Sequence, residues 1–157
     1  MEIITSILIV CVIFFGDLWI KNKIEKSGIK SKGGTGGESA ALFGGRILLR
    51  NHHNKGFILN CGQGRRRAVA VLSMILSVLM GGLFVLSLGR RGNKLLRVGL
   101  AFLLGGAFSN TYDRLKRQYV VDYFSFNVKW KRLRGIVFNL SDFCIIIGSM
   151  LMVIGAC

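Results

Sequence analysis

Four stretches of apolar residues divide the chain, and each is long enough to form a membrane-spanning helix. The clearest is 68–88, which holds twenty-one residues without a charge. The other three, each with one charged residue, are 3–20, 95–112 and 135–157. About twenty apolar residues in a helix span the hydrocarbon core of a bilayer. The pattern therefore predicts an all-α integral membrane protein, with four transmembrane helices in one domain over 1–157.

The first stretch also has the length of a signal peptide. Its start lacks a basic residue, and no cleavage site of small residues follows it before Asp17 and Lys21. We therefore expect this stretch to remain in the protein as a span.

Two polar segments separate the predicted spans. In 21–67, a glycine-rich run is followed by two short apolar runs on either side of 51–55, which predicts a surface loop and then a small β-hairpin over 46–60. In 113–134, apolar residues recur at every second position, a period that indicates a strand at the interface. The predicted architecture is thus four transmembrane helices with a small extramembrane β-hairpin or sheet at the membrane surface.

Asp122 lies on the same face of that predicted strand as the apolar residues, because it is an even number of positions from them. It would therefore point with them toward the helical bundle. A bulge that turns Asp122 outward is the alternative, and the period of two does not decide between them.

The chain has four aspartates, and all lie at or near the predicted span ends: Asp17, Asp113, Asp122 and Asp142. In a four-span protein these ends, and Asn54 of the predicted hairpin, lie on one side of the membrane. Asp142 lies about seven residues into its predicted helix, which is roughly 10 Å of rise. An aspartate in the middle of a span costs roughly 2.5–3.5 kcal/mol on insertion scales. An intramembrane carboxylate is therefore a candidate functional group.

Two carboxylates in a partly dry site favour acid–base hydrolysis, because one keeps a proton while the other acts as a base toward water. Asp122 and Asp142 are the best candidates for this pair. Asp113 competes with them, but its neighbour Arg114 would hold it in a structural ion pair. Asp17 and Lys21, four residues apart, form either a catalytic pair or an anchoring pair whose lysine reaches the interface, and the spacing favours the anchor.

Other chemistries find little support. His52 and His53 lie in a predicted turn without a cysteine pair, so we expect no metal site. The four cysteines lie far apart in the sequence and suggest neither a disulfide set nor a catalytic triad. No glycine run has the ending of a phosphate-binding loop, and the sequence calls for no cofactor.

Composition and charge agree with a membrane location. The chain is 52% hydrophobic and carries a formal net charge of +15. Such a surplus favours anionic partners. Because the basic runs at 65–67 and 129–134 flank predicted spans, we expect them to meet anionic membrane lipids and not nucleic acid.

An ordered set of motifs resembles the bacterial lipoprotein signal peptidases, or signal peptidase II. In chain order the motifs are D-x-x-x-K at 17–21, N-x-G at 54–56, GGAFSNTYDR at 105–114, VVD at 120–122 and FNLSD at 138–142. The chain length, the four predicted spans and the motif order all agree with that family.

The resemblance implies an intramembrane aspartic endopeptidase that removes the signal peptide of a prolipoprotein, cutting before the diacylglyceryl-modified cysteine. Asp122 and Asp142 would be the catalytic pair. The remaining motif residues would bind substrate or support the site: Asn54, Gly56, Asn110, Asp113, Arg114, Asn139, Asp17 and Lys21. The enzyme would be a monomer in the bacterial cytoplasmic membrane, with its site on the extracytoplasmic side.

Two alternatives remain open from the residues alone. One is a catalytically inactive relative, or another small basic membrane protein, that binds lipidated or anionic partners; the other, weaker, is a small transporter that uses the buried aspartates as a proton relay. Orientation is also open, because the motif side carries eighteen Lys and Arg residues and the loop 90–97 carries four. The positive-inside rule would place the motif side in the cytoplasm, opposite to what the resemblance implies.

Overall fold

The computed structural model describes residues 2–27, 40–56, 65–89 and 93–156. Its elements in chain order are α1 (Glu2–Lys26), β1 (Ala40–Leu42), β2 (Ile47–Asn54), α2 (Arg66–Gly89), α3 (Lys94–Lys116), β3 (Val120–Phe126), α4 (Lys131–Arg134) and α5 (Leu140–Ala156). The protein is thus mostly helical with one small antiparallel sheet, as the sequence predicts.

Helix α3 is the centre of the bundle and packs against α1, α2 and α5. Its approach to α5 is close because glycines face each other there. A Cβ on Gly99 would lie 2.8 Å from the carbonyl oxygen of Gly148, and a Cβ on Gly148 would lie 2.6 Å from that of Gly99. Small residues at such a crossing let two helix backbones touch, so α3 can hold the first turn of α5 close to its own polar residues.

Helix α1 buries an ion pair while it exposes large apolar side chains. Asp17 and Lys21 are fully buried, whereas Val12 and Phe15 are 62% and 64% exposed. A helix of a water-soluble protein shows the reverse pattern, with its apolar stripe toward the core.

Two helices in the described part of the chain, α1 and α2, are long and apolar enough to cross a membrane by length and composition. Helix α5 is apolar as well but has 17 residues. Helix α3 carries the polar residues of the site on its buried face and is less apolar.

The sheet has the order β1-β2-β3, and its hairpin differs from the predicted one. Strand β2 continues through Asn51 to Asn54, which were predicted to form the turn, and pairs with β3 as far as Asn54 opposite Val120. The hairpin turn lies instead between β1 and β2, at residues 43–46. The turn prediction was wrong because residues 52–54 pair with β3, so the high turn propensity of this segment is overridden. The glycine-rich run lies outside the described residues.

The helix bounds also differ from the predicted spans. Helix α1 continues six residues beyond residue 20, and α5 begins at Leu140 instead of residue 135. Phe138 explains the late start, because its backbone pairs with Phe124 of β3 in an isolated bridge. Asp142 therefore lies in the first turn of α5, not two turns inside it as predicted.

Candidate active site

Asn139 connects buried Asp122 and half-buried Asp142, which come from different elements. Its side-chain amide donates to Oδ1 of Asp122 on β3 at 2.7 Å. Its backbone N–H donates to Oδ2 of Asp142 on α5 at 3.1 Å. The structure thus brings together the two carboxylates that the sequence analysis paired.

The start of α5 fixes this arrangement locally. Asn139 precedes the helix, and its Oδ1 accepts the backbone N–H of Asp142 at 2.9 Å. The reciprocal bond from the Asn139 N–H to the Asp142 carboxylate completes a capping box, which satisfies two backbone donors at a helix N-terminus. Because asparagine is among the best N-cap residues, the sequence of this motif sets the helix start and the carboxylate position together.

Asn110 on α3 holds Asp142 from the other side. Its amide N–H donates to Oδ1 of Asp142 at 3.0 Å. Its own oxygen accepts from Lys21 at 2.8 Å and from Asn139 at 3.3 Å. Since both donors reach the oxygen, the amide of Asn110 is oriented with its N–H toward Asp142.

Burial raises the pKa of Asp122 to about 8, and the nearby charge of Asp142 adds to the rise. Hydrogen bonds from Asn139 and Asn54 oppose the shift but do not cancel it. Asp122 is 3% exposed. A carboxyl group in this position keeps its proton at neutral pH, since burial disfavours its charged form.

The end of β2 lies over the pair. Asn54 bonds Asp122 with its side chain, and its Oδ1 also accepts the backbone N–H of Gly56 at 3.0 Å. Arg114 on α3 donates to the carbonyl oxygen of Gly56 at 3.3 Å. The predicted N-x-G motif thus forms a short turn that α3 holds beside the two carboxylates. Residues 57–59, which follow it, lie outside the described residues.

The other two aspartates surround Lys21. The ammonium of Lys21 lies 2.7 Å from Oδ2 of Asp17 and 3.2 Å from Oδ2 of Asp113, and all three side chains are fully buried. Lys21 therefore does not extend to the membrane interface, and that part of the anchor prediction was wrong. The lysine is retained inside because two carboxylates compensate its charge there.

Asp113 has partners other than the one predicted from its neighbour. Besides Lys21, it lies 3.1 Å from Arg117, one helical turn later, and accepts the backbone N–H of Val121 at 3.2 Å. Arg114, predicted as its ion-pair partner, has a favourable charge interaction with Asp113 and donates a hydrogen bond to the carbonyl oxygen of Gly56. Adjacent residues on a helix point about 100° apart, so Arg114 and Asp113 face different neighbours.

Three residues of the site escaped the sequence analysis. Asp17 accepts hydrogen bonds from Ser109 at 2.6 Å, Ser141 at 2.5 Å and Tyr123 at 3.0 Å. The two serines lie inside motifs of the ordered set, and the tyrosine lies directly beside one. This proximity was the only signal in the sequence that could have identified them. Together they connect Asp17 to α3, α5 and β3.

A second contact joins the sheet to α1. His53 on β2 lies 2.8 Å from Glu25 and stacks on Tyr119 with ring centroids 4.0 Å apart. His52 occupies the register position opposite Asp122. The contacts of His53 with Glu25 and Tyr119 hold β2 in position directly before Asn54.

The arrangement can perform acid–base chemistry on a peptide bond. Asp142 lies at a helix N-terminus with amide donors on both oxygens, which stabilises a negative charge. Asp122 is protonated at neutral pH and can donate its proton to a carbonyl oxygen. Two carboxyl groups in one site, one of which keeps its proton, can activate a water and polarise an amide without a metal.

Comparison with known proteins agrees with the motifs. A family model described as signal peptidase (SPase) II matches residues 9–157. The lipoprotein signal peptidase of Alteromonas mediterranea is 37% identical over 109 residues, which cover 65% of this chain and 56% of that protein. The lipoprotein signal peptidase of Lactiplantibacillus plantarum is 32% identical over 120 residues, which cover 76% and 75%. The resemblance inferred from the ordered motifs is confirmed, as is the predicted activity class of prolipoprotein signal peptidase.

Two solved structures share the fold. A bacterial membrane enzyme solved by the in meso method at 2.3 Å superposes with a TM-score of 0.79 at 23% identity, covering 97% of this chain and 87% of the other. A second bacterial membrane enzyme, solved by the same method at 1.9 Å, gives a TM-score of 0.73 at 22% identity. At this identity the likeness concerns the fold.

Proposed function

This chain belongs to the signal peptidase II family, and we propose that it removes the signal peptides of prolipoproteins by an aspartic mechanism, with Asp122 and Asp142 as the catalytic pair. The observation that carries the proposal is the position of Asn139. One residue hydrogen-bonds both carboxylates, so a strand and a helix present them to the same scissile peptide bond.

The two aspartates have different roles in this mechanism. Asp142 removes a proton from water, which attacks the scissile carbonyl carbon. Asp122, protonated because burial raises its pKa to about 8, donates its proton to the carbonyl oxygen. Asp142 then gives the proton it took from water to the leaving amine, and Asp122 takes a proton from a hydroxyl of the tetrahedral intermediate. The C–N bond breaks, and both aspartates return to their starting state.

Substrate binding involves the residues around the pair. The peptide backbone lies in an extended conformation beside the turn of Asn54 and Gly56, which Arg114 holds in place. Asn110 keeps Asp142 oriented. The bond that is cut precedes the diacylglyceryl-modified cysteine, whose acyl chains lie along the apolar surface of the helices.

Helices α1, α2, α3 and α5 cross the membrane in this proposal. The exposed apolar side chains of α1, α2 and α5 support this proposal. Many exposed apolar residues on neighbouring helices indicate contact with a non-aqueous surrounding such as lipid. Helix α5 with 17 residues is about 26 Å long at 1.5 Å per residue. That is close to the thickness of the hydrocarbon core.

The site faces the extracytoplasmic side of the bacterial cytoplasmic membrane in this proposal. The charge count of the loops favours the opposite orientation, so a direct test is needed. Labelling of Cys61 and Cys157 with a membrane-impermeant thiol reagent on intact cells distinguishes the two sides. Labelling of Cys61 supports the proposed orientation, and protection of Cys61 alone overturns it.

The catalytic pair is tested with a diacylglyceryl-modified prolipoprotein in liposomes, followed by gel shift. Because an asparagine cannot exchange the proton, Asp122→Asn and Asp142→Asn should each lower cleavage by about 10²–10⁴-fold or more. Expression and membrane insertion should stay near normal, since the change removes little volume.

Glu2→Gln is the matched control for these variants. Glu2 lies at the other end of α1, half-exposed beside Lys94 and Arg97, so its loss should leave cleavage unchanged. Cleavage that survives Asp122→Asn or Asp142→Asn would reject the pair. A folded wild-type protein without activity would favour a non-catalytic binding protein.

A further inference from the structure

The end of the sheet farthest from Asp122 carries an exposed aromatic surface that cleavage does not use. Phe43, in the turn between β1 and β2, is 78% exposed, and Trp130, four residues after β3, is 79% exposed. Leu42 and Leu133 beside them are also exposed. We call residues 42–46 together with 127–134 the sheet tip.

Asn127 ties the two segments of the sheet tip together. Its backbone N–H donates to the carbonyl oxygen of Arg46 at 2.8 Å. Its side-chain amide donates to the carbonyl oxygen of Gly45 at 2.7 Å. The turn and the segment that carries Trp130 therefore form one surface.

The backbone of the turn holds Phe43 in a costly conformation. Its φ is +52°, and Gly44 and Gly45 follow with φ of +66° and +84°. Residues with a side chain rarely adopt this region, and they persist there when the surrounding structure enforces it. An aromatic side chain that is both strained and exposed indicates a contact outside the chain itself.

The charge of the sheet tip indicates what that contact is. Its two segments contain five basic and no acidic residues. Arg46, Lys129, Arg132 and Arg134 among them are exposed. Aromatic residues flanked by lysine and arginine are typical of the headgroup region of a membrane, where the ring lies among glycerol groups and the cations meet phosphates.

We propose that the sheet tip inserts Phe43 and Trp130 into the headgroup region of an anionic phospholipid bilayer. The inference rests on the proposed function in one respect, namely that the helices span the same membrane. Anionic lipid is the occupant because the basic residues complement its charge, whereas a zwitterionic surface would gain little from them.

The sheet transmits this contact to the active site. Strands β2 and β3 pair from Ile47 opposite Phe126 at the tip to Asn54 opposite Val120 beside Asp122, with one register shift between Leu49 and His52. Over seven residue steps the strand extends about 23 Å at roughly 3.3 Å per residue. Anchoring the tip therefore fixes the height at which Asn54 and Asp122 meet a lipid-anchored substrate.

Tryptophan fluorescence tests the insertion directly. The chain has two tryptophans, so Trp19→Phe leaves Trp130 as the only one. The variant is placed in nanodiscs of anionic or zwitterionic lipid, with bromine atoms on the upper acyl chains as quenchers from the membrane and acrylamide as the quencher from water. In anionic discs we expect blue-shifted emission from Trp130, strong bromine quenching and weak acrylamide quenching.

Two further variants separate the contributions. Phe43→Ser should shift the Trp130 emission toward that of water and lower bromine quenching. Arg132→Gln with Arg134→Gln should remove the difference between anionic and zwitterionic discs. If Trp130 of the Trp19→Phe protein inserts equally in anionic and zwitterionic discs, the proposed selection of anionic lipid by the basic residues is overturned.

Water-like emission with full acrylamide quenching in anionic discs would overturn the insertion itself. Cleavage by the same Trp19→Phe protein is measured in the same discs. Active protein with a water-exposed Trp130 would reject membrane insertion of the sheet tip and leave the proposed function standing. Inactive protein with a membrane-buried Trp130 would support the insertion and reject the proposed function.

Discussion

The four aspartates of this protein fall into two neighbouring groups with different partners. Asp17 and Asp113 lie within 3.2 Å of the buried ammonium of Lys21. Asp122 and Asp142 instead accept hydrogen bonds from the amides of Asn139 and Asn110. A cation in direct contact compensates the charge of a buried carboxylate, whereas amide donors hold a carboxylate in position. The first group therefore stabilises the fold, and the second is suited to proton transfer.

Removing the cation should produce the largest effect on stability. Lys21→Met leaves the carboxylates of Asp17 and Asp113 buried without their shared partner, and breaking a buried ion pair in this way costs about 3–5 kcal/mol. Thermal unfolding in detergent measures the loss. Asp17→Asn combined with Lys21→Met removes a charge of each sign and should cost less than Lys21→Met alone. A larger loss in the double variant would contradict the argument that charge compensation dominates in this group, and an unchanged melting temperature in Lys21→Met would contradict its assignment to stability.

Disturbing the first turn of α5 should have the next largest effect. A Cβ on Gly106 would lie 2.5 Å from the carbonyl oxygen of Ser141, so Gly106→Ala pushes the turn that carries Asp142. Overpacking of this kind costs about 1–3 kcal/mol, and cleavage should fall with it. Gly82→Ala on α2 is the matched control, because its Cβ would meet nothing within 4 Å. Normal activity in Gly106→Ala would show that the pair of Asp122 and Asp142 tolerates a displacement of the first turn of α5.

The pH profile should separate the two groups. The acid role requires protonated Asp122, whose pKa burial raises to about 8, so kcat/KM should fall about tenfold per unit above that pH. The folded pKa also lies above the unfolded value. The stabilisation from neutral Asp122 is therefore complete below about pH 4 and is lost as the pH rises through about 8.

Asp122→Asn provides the control for this profile. Its melting temperature should change less than that of the wild type between pH 5 and pH 9, because the titrating group is gone. An activity profile that stays flat beyond pH 9 would assign the acid to another residue.

The smallest effect is expected at the partly exposed pair of Glu25 and His53. Their side chains are 26% and 29% exposed. Solvent screens such pairs, so Glu25→Gln should cost less than about 1 kcal/mol. A loss as large as that of Lys21→Met would mean that attachment of the sheet to α1 contributes as much as the buried charge cluster.

Much of the candidate site could be predicted because its residue types are rare. Asp122 and Asp142 are two of only four aspartates, and both lie in motifs whose order resembles one family. Asn139 and Asp142 could also be placed on one face, since their spacing of three is that of a capping box.

The partner of Asp113 could not be predicted in this way. The sequence indicates its neighbour Arg114, but a helix directs adjacent side chains to different sides. Lys21 reaches Asp113 from α1, more than ninety residues earlier in the chain. The local sequence of neither helix predicts that contact.

The sequence by itself determined the family, the four apolar stretches and most of the residues from which the candidate site is built. These follow from local patterns, because hydrophobic length and motif spacing are properties of short segments. Only the tertiary structure decided which aspartates meet a cation and which meet amides. That outcome depends on how closely α1, α3 and α5 approach, and the approach is set by glycine contacts between distant parts of the chain. Since the dielectric environment and the nearest charge together decide whether a carboxyl group keeps its proton, the packing divides four identical side chains into two kinds of site.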